Sequence, residues 1–225
     1  MFLNELFEKD IDEGWKDWAA GAAMGVAALG AQPADAKPMP QQPVAQKAAD
    51  TGINILSNNI RSEEVVHRTA RAAGIKGTEL AQFLAQTRHE SADFRSMKER
   101  FNGKDAQSYF MKKYDKKYAP QTAKILGNKQ VGDGVKYHGR GYIQITGRDN
   151  YRMAGQALGL PLEQQPDLAS KPDVAAKIAV WYWKTRVKPN VSNFADTAAV
   201  TRLINPAMRG LQDRHSNFMD YKKII

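Results

Sequence analysis

Residues 32–50, QPADAKPMPQQPVAQKAAD, hold four prolines and almost no side chain able to enter a core, so any packed fold must be built to one side of them. Proline fixes its own backbone and donates no hydrogen bond, and a run of this composition reads as an extended linker. We place the domain boundary near Thr51. Residues 1–31 are of another character. Positions 2–17, FLNELFEKDIDEGWKD, are acidic, with Phe2, Leu3, Leu6 and Phe7 at helix-compatible spacing. Trp18 to Ala31 then forms an uncharged run of 14 residues rich in alanine and glycine, shorter than the roughly 20 residues of a membrane span. Its length fits a secretory apolar region, and Ala34-Asp35-Ala36 imitates a small-x-small cleavage site. The preceding stretch is net negative, however, where export signals are positive. A cleaved signal, a weak releasable anchor and a docking or packaging peptide all stay open for this segment.

From residue 51 to 225 the periodicity is mostly helical. Ser62 is placed to cap a helix through EEVVHRTARAA that Gly74 stops, and Thr78 to cap ELAQFLAQTRHESA. In the latter, Leu80, Phe83, Leu84 and Thr87 form a stripe at i, i+3, i+4, i+7. Pro172 opens a third helix, DVAAKIAVWYWKTRV, and two more are expected at 193–204 and 209–223. Between them Tyr142-Ile143-Gln144-Ile145-Thr146 alternates with period two between Gly141 and Gly147, the pattern of a small strand or hairpin. The expectation is a mainly α domain with a small β-hairpin lobe.

Charge and chemistry narrow the partners. Residues 1–50 carry a net charge of −4 and residues 51–225 a net +13, so the basic field belongs to the C-terminal part. Such a field suits an anionic polymer, nucleic acid or an anionic membrane, or serves solubility alone. The lysines are dispersed and no nucleic-acid recognition motif appears, which argues against nucleic acid. With no cysteine, disulfides, thiolate ligands and a thiol nucleophile are excluded. The histidines, His67, His89, His138 and His215, form no close-spaced ligand pair, so no metal and no cofactor is expected.

Two carboxylates and one downstream segment are the candidates for chemistry. Glu90 ends its helix in phase with Phe83 and Thr87, on or beside the apolar stripe. Partial desolvation there, at the negative end of the helix dipole, disfavours its charged form and suits a general acid. Glu99, in SMKERF, lies beyond the helix among Lys98 and Arg100, where cations and water keep a carboxylate ionised and suit a general base. An ordinary pair of surface glutamates would look the same in isolation. YHGRGYIQITGRDNY then sets Tyr137, His138, Arg140, Tyr142, Gln144, Thr146, Asn150 and Tyr151 around glycines. Aromatic faces with amide and hydroxyl groups match a sugar ring's apolar face and hydroxyl rim. A twisted hairpin with packed tyrosines accounts for the same residues.

Taken in order, AQFLAQTRHESADF, Glu99, YHGRGYIQITGRDNY and VTRLINPAMRGLQDR resemble the family 19 glycoside hydrolases, which include chitinases and related phage endolysins, over about residues 55–222. The resemblance implies an α+β lysozyme-like fold with a cleft between lobes. It also implies that Glu90 is the general acid, Glu99 the general base and Thr146 the hydroxyl that positions water. Gln144, Asn150 and Asn205 fall on the family's substrate-contacting amides, and Arg214 on the arginine that supports the base. Two departures stand out. Ser91-Ala92-Asp93 replaces a more glycine-rich stretch after the acid, which implies a stiffer or differently shaped loop there. Pro206-Ala207 replaces two glycines after Asn205.

These features lead to the expectation of an inverting, phage-encoded endolysin or virion-associated lysin, monomeric, that cuts β-1,4 bonds of bacterial peptidoglycan. Its basic domain would touch the anionic wall or outer-membrane components, and it would act on periplasmic peptidoglycan either from the virion or from within the host cell. A chitinase, a lytic transglycosylase and a catalytically silent wall-binding virion protein are the competing readings.

Overall fold

The computed structural model describes the backbone of residues 52–101 and 105–225, with side chains from Arg61 onward; the acidic segment, the alanine-rich run, the linker and the boundary at Thr51 lie outside the described residues. Helix α1 runs Gly52–Ala72 and α2 Gly77–Glu90. Neither expected cap is used. Residues 53–61 hold no glycine or proline to stop a helix, so α1 starts ten residues before Ser62 and passes through it. Thr78 lies inside α2, whose N-cap is Lys76. The expected stop is there: Gly74 takes φ +84°, and Ile75 N–H donates back to Ala70 O at 3.0 Å, closing α1 with the left-handed turn that glycine adopts most readily.

Beyond these come α3 (Ala106–Tyr114), α4 (Pro120–Leu126), the single-turn α5 (Asp133–Lys136) and α6 (Arg148–Leu158). A 3-10 turn at Pro166–Ser170 leads into α7 (Pro172–Tyr182), which continues as a π turn over Trp183–Val187. Helices α8 (Thr197–Ile204) and α9 (Leu211–Ile224) complete the domain. Asp105 caps α3 by accepting from Gln107 N at 3.0 Å and Ser108 N at 3.1 Å, and Asp196 caps α8 through Ala199 N at 2.9 Å. The mainly α class expected from the sequence is what is found. The β-hairpin is not: the described residues hold only two isolated bridges, Lys98 with Arg140 and Arg140 with Ile145. Gln144 adopts φ +52°, left-handed, which turns the chain in the middle of the alternating YIQIT segment and prevents a strand.

The center of the fold is α2. Every residue from Leu80 to Thr87 is buried, with α9 packed along it and α1 and α8 against it. Phe83 meets Trp183 edge-to-face at 5.3 Å, and Phe94 meets Tyr142 likewise at 5.8 Å, each such pair adding about 1 kcal/mol beyond area burial. A second cluster gathers Tyr137, Ile145, Tyr151, Leu162 and Ile178, and a third Phe110, Tyr114 and Leu126.

Two polar devices fix segments next to the carboxylates. After α2 the residues Ala92, Asp93 and Phe94 all take left-handed φ, of +50°, +59° and +61°, which is strained for side-chain-bearing residues. Ser91 holds this turn: its hydroxyl donates to Thr87 O at 2.7 Å and accepts from Phe94 N–H at 2.9 Å. Asp93 braces it with Arg88 at 2.9 Å and Arg95 at 2.7 Å. Ser91 and Asp93 thus hold the loop after Glu90 in an unusual conformation. Farther on, Asp133 accepts from Lys129 N, Gln130 N and the Arg148 guanidinium at 2.6–2.9 Å, joining α5 to α6. Burial alone would raise the Asp133 carboxyl's pKa, but Arg148 and the two backbone N–H groups outweigh it and hold it below the usual carboxylate value.

Ser91→Ala leaves the buried Phe94 N–H unpaired and should destabilise the domain by about 1–2 kcal/mol in urea unfolding. Asp133→Asn should cost roughly 2 kcal/mol near pH 7, less than a fully buried pair because Arg148 keeps some solvent contact. Since the native pKa is lowered, the stabilisation is complete above the unfolded value of 3.8 and is lost as pH falls through the lower native one. Parent and variant unfolding curves should therefore converge below that pH.

Candidate active site

Glu90 is the last residue of α2, and its buried carboxylate is met by Arg214 on α9. Both side chains are almost fully enclosed, at 3% and 1% exposure. Arg214 is itself fixed by Gln86 Oε1 at 2.6 Å, one turn before Glu90, and by Arg209 O at 3.1 Å. Gln86 Nε2 then donates to Thr201 Oγ1 of α8 at 3.0 Å. One step out, His89 Nδ1 meets Asp213 Oδ2 at 2.6 Å, a second pair between the same two helices. Beside Glu90 lies a hollow of ≈ 20 Å³, room for about one water, walled by Phe83, Ile143, Tyr182, Trp183 and Ile204 among others.

Glu99 is also buried, at 2% side-chain exposure, so it is not bathed by water among Lys98 and Arg100 as its neighbours in sequence suggested. Its Oε1 accepts from Tyr114 OH at 2.8 Å and faces Lys113 Nζ at 3.7 Å, while Oε2 accepts from Gly139 N–H at 3.0 Å. All three groups are donors, so the site accommodates the carboxylate form. Burial, and then the charge of Glu99, push the Tyr114 phenol far above its usual pKa and keep it a donor. The backbone is tied as well: Glu99 N–H donates to Gly139 O and Gly141 N–H to Met97 O, both at 2.9 Å. A Cβ on Gly139 would come within 2.9 Å of Gln144 Oε1 and 3.0 Å of Glu99 Oε2, so these two side chains lie side by side with only glycine between them.

The turn from Gly141 to Thr146 joins the two carboxylates. Ile143 faces the hollow beside Glu90, whereas the next residue, Gln144, lies beside Glu99. Gln144 Nε2 donates to Gly141 O at 2.8 Å, and its buried Oε1 has no partner. Thr146 Oγ1 donates to Gln144 O at 2.9 Å, and Asn150 Nδ2 to Thr146 O at 2.8 Å. Glu99, Gln144, Thr146 and Asn150 thus form one connected group. Asn205 follows Ile204 at the end of α8, on the Glu90 side.

Other expected binding residues have different positions. Tyr137 and Tyr142 are fully buried, the first donating to Glu163 O at 3.0 Å and the second packed on Phe94, so neither offers a face to a ligand. Arg140 is occupied by Asp167, Lys136 O, His138 O and Tyr151 OH at 3.0–3.2 Å. Arg214, expected to contact substrate and to support Glu99, instead holds Glu90 from inside the core. His138 is stacked on Phe110 at 4.2 Å, and its ring Nδ1 is bound to Val135 O at 2.7 Å. Burial lowers its pKa, so the imidazole is neutral at neutral pH. Among the described residues no group of His, Asp or Glu is arranged to hold a metal ion.

Sequence reasoning missed Gln86, Lys113, Tyr114 and Gly139. Gln86 sits four residues before Glu90, the spacing of neighbours on one helix face, and could have been read from that. Tyr114 is 15 residues from Glu99, and no local pattern links them.

Residues 60–209 match the family model described as chitinase class I, glycoside hydrolase family 19. A glycosyl hydrolase family 19 domain-containing protein of Haemophilus influenzae is 36% identical over 161 residues, covering 64% of this chain and 78% of that protein. An endochitinase of Arabidopsis thaliana is 35% identical over 164 residues, 67% of this chain and 51% of the endochitinase, so the chain spans about half the length of that relative. In fold, chitinase C from Streptomyces griseus superposes with a TM-score of 0.53 at 24% identity, over 80% of this chain and 79% of that one. With 150 of its 225 residues inside the family model, the chain belongs to glycoside hydrolase family 19.

Proposed function

We propose that this glycosidase hydrolyses β-1,4 bonds of the peptidoglycan glycan strand by a single displacement with inversion. The observation that carries the mechanism is the unequal setting of two buried carboxylates at either side of one turn. Arg214 pairs with the Glu90 carboxylate through Oε1, so Oε2 is the oxygen that takes up a proton before cleavage and passes it to the leaving glycosidic oxygen. Glu99 is surrounded by donors to its carboxylate oxygens, and it is the base that takes a proton from water. Thr146 is the water-positioning hydroxyl, and Gln144, Asn150 and Asn205 are the polar groups for the sugar. Gln144 supports this role most directly, because its unpaired, buried Oε1 beside Glu99 is an acceptor in want of a donor.

Peptidoglycan is the preferred substrate because residues 51–225 carry a net +13 and peptidoglycan is anionic. A phage origin, delivery from a virion or from within the host cell, and action in the periplasm are part of the same reading, with the acidic and alanine-rich N-terminal segment as the delivery element. Chitin is the second reading, favoured by the endochitinase name of the Arabidopsis relative.

Glu90→Gln should lower lysis of permeabilised Gram-negative cells by about 10²- to 10⁴-fold while wall binding survives. Undiminished lysis would remove Glu90 from catalysis, and parent activity confined to chitin would replace peptidoglycan with chitin. NMR of the first products should show the inverted anomer, the outcome general to enzymes whose two carboxyl groups stand roughly 6.5–9.5 Å apart. Retained configuration, or 1,6-anhydro ends, would rule the single displacement out.

A further inference from the structure

The segment from Asp105 to Lys136 carries seven lysines and three aspartates, two of which, Asp115 and Asp133, are buried. Asp105 caps α3. Asp115 is fully buried and accepts from Lys117 N at 3.1 Å and Gly132 N at 2.6 Å. Asp133 is bound to Arg148. With Asp115 and Asp133 buried, the exposed charge of this segment is mostly that of its lysines. Lys112, Lys116 and Lys117 are exposed and make no ion pair among the described residues. They fall within six positions, at the C-terminal end of α3 and in the turn after it.

This cluster is continuous with the active site. Between Lys112 and Lys116 stand Lys113, 3.7 Å from Glu99, and Tyr114, which donates to the same carboxylate. One helical turn advances about 5.4 Å, so the exposed ammonium groups lie within reach of a polymer whose scissile bond is at Glu99. Carrying so many like charges on one short segment is unfavourable by self-repulsion, which an anionic partner relieves.

We infer that Lys112, Lys116 and Lys117 bind carboxylates of the glycan strand on the Glu99 side of the scissile bond, and that they select anionic peptidoglycan over neutral chitin. This inference rests on the proposed peptidoglycan hydrolysis and assigns its substrate preference to named residues. A neutral chitin chain gains nothing from these lysines. A strand bearing lactyl and stem-peptide carboxylates gains both encounter rate and affinity, in a manner screened by salt.

The test is the triple variant K112Q/K116Q/K117Q, compared with the parent on purified peptidoglycan sacculi and on a neutral chitin oligosaccharide. All three side chains are exposed, and thermal unfolding checks that the fold is kept. At low ionic strength kcat/KM on sacculi should fall roughly tenfold, through KM more than kcat, and the gap should close near about 0.5 M salt. Activity on the oligosaccharide should be unchanged. Equal activity of variant and parent on sacculi overturns the inference, as does an equal loss on both substrates. If the variant loses only binding to anionic phospholipid vesicles, with sacculi kinetics intact, the lysines serve a membrane surface and the inference fails. A parent inactive on sacculi but active on the oligosaccharide removes the peptidoglycan reading and this inference with it. An active parent with an equally active variant removes this inference alone.

Discussion

The ion pair between Glu90 and Arg214 is the constraint around which the domain is arranged. Two charges with 3% and 1% of their side-chain surface exposed have lost nearly all their water, a loss that mutual attraction offsets only when the remaining polar groups are also satisfied. Gln86 and the Arg209 carbonyl supply that satisfaction, and Gln86 passes the link on to Thr201. Helices α2, α8 and α9 are therefore joined through one polar network inside an otherwise apolar core. Replacing such a network by hydrophobic residues is often neutral or stabilising. Stability alone gives no reason to bury a glutamate here; holding a carboxylate in one place does.

The second carboxylate is held by different physics. Glu99 lies outside regular structure, and nothing in its own segment would fix it. Its position comes from α3, which contributes Tyr114 and Lys113, and from the backbone around Gly139. The segment that carries α3 through α5 is in turn tied down by Asp115 and by the Asp133–Arg148 pair. Glu90 is thus fixed by the central helix and Glu99 by a peripheral set of short helices. The turn from Gly141 to Thr146 connects the two supports, with Tyr142 in the core of α2 and Ile145 in the cluster around Tyr151.

What could be read from the sequence follows the range of the interactions. The helices were legible because apolar spacing and the Gly74 stop are local, and Glu90 was legible because it continues the stripe of its own helix. Ser62 misled because a good capping residue marks a helix start only where the chain before it cannot be helical, and residues 53–61 can, whereas Thr78 missed the start of its helix at Gly77 by a single residue. The apolar alternation of YIQIT suggested a strand, yet alternation also arises when a turn places successive side chains into different clusters. Tyr137, Tyr142 and Arg140 looked like sugar contacts by type. Only packing distinguishes a tyrosine that presents a face from one that fills a core. The partners of Glu99 were illegible because they are set by contacts 14, 15 and 40 residues away in sequence.

The strain in the backbone is concentrated on the same two supports. Ala92, Asp93 and Phe94 immediately follow Glu90 in left-handed conformations, and Gln144 beside Glu99 is left-handed too. Such conformations cost about 1–2 kcal/mol per residue and persist only where the surroundings over-determine them. Here they do: Ser91 and Asp93 tie the first turn to α2, and the Gly141 carbonyl holds the Gln144 side chain across the second. A relaxed chain at either position would redirect Phe94 out of the core or Gln144 away from Glu99. The strained residues thus set the direction in which the two carboxylate neighbourhoods face each other, and the core packing of Phe94 and Tyr142 sustains that strain from behind.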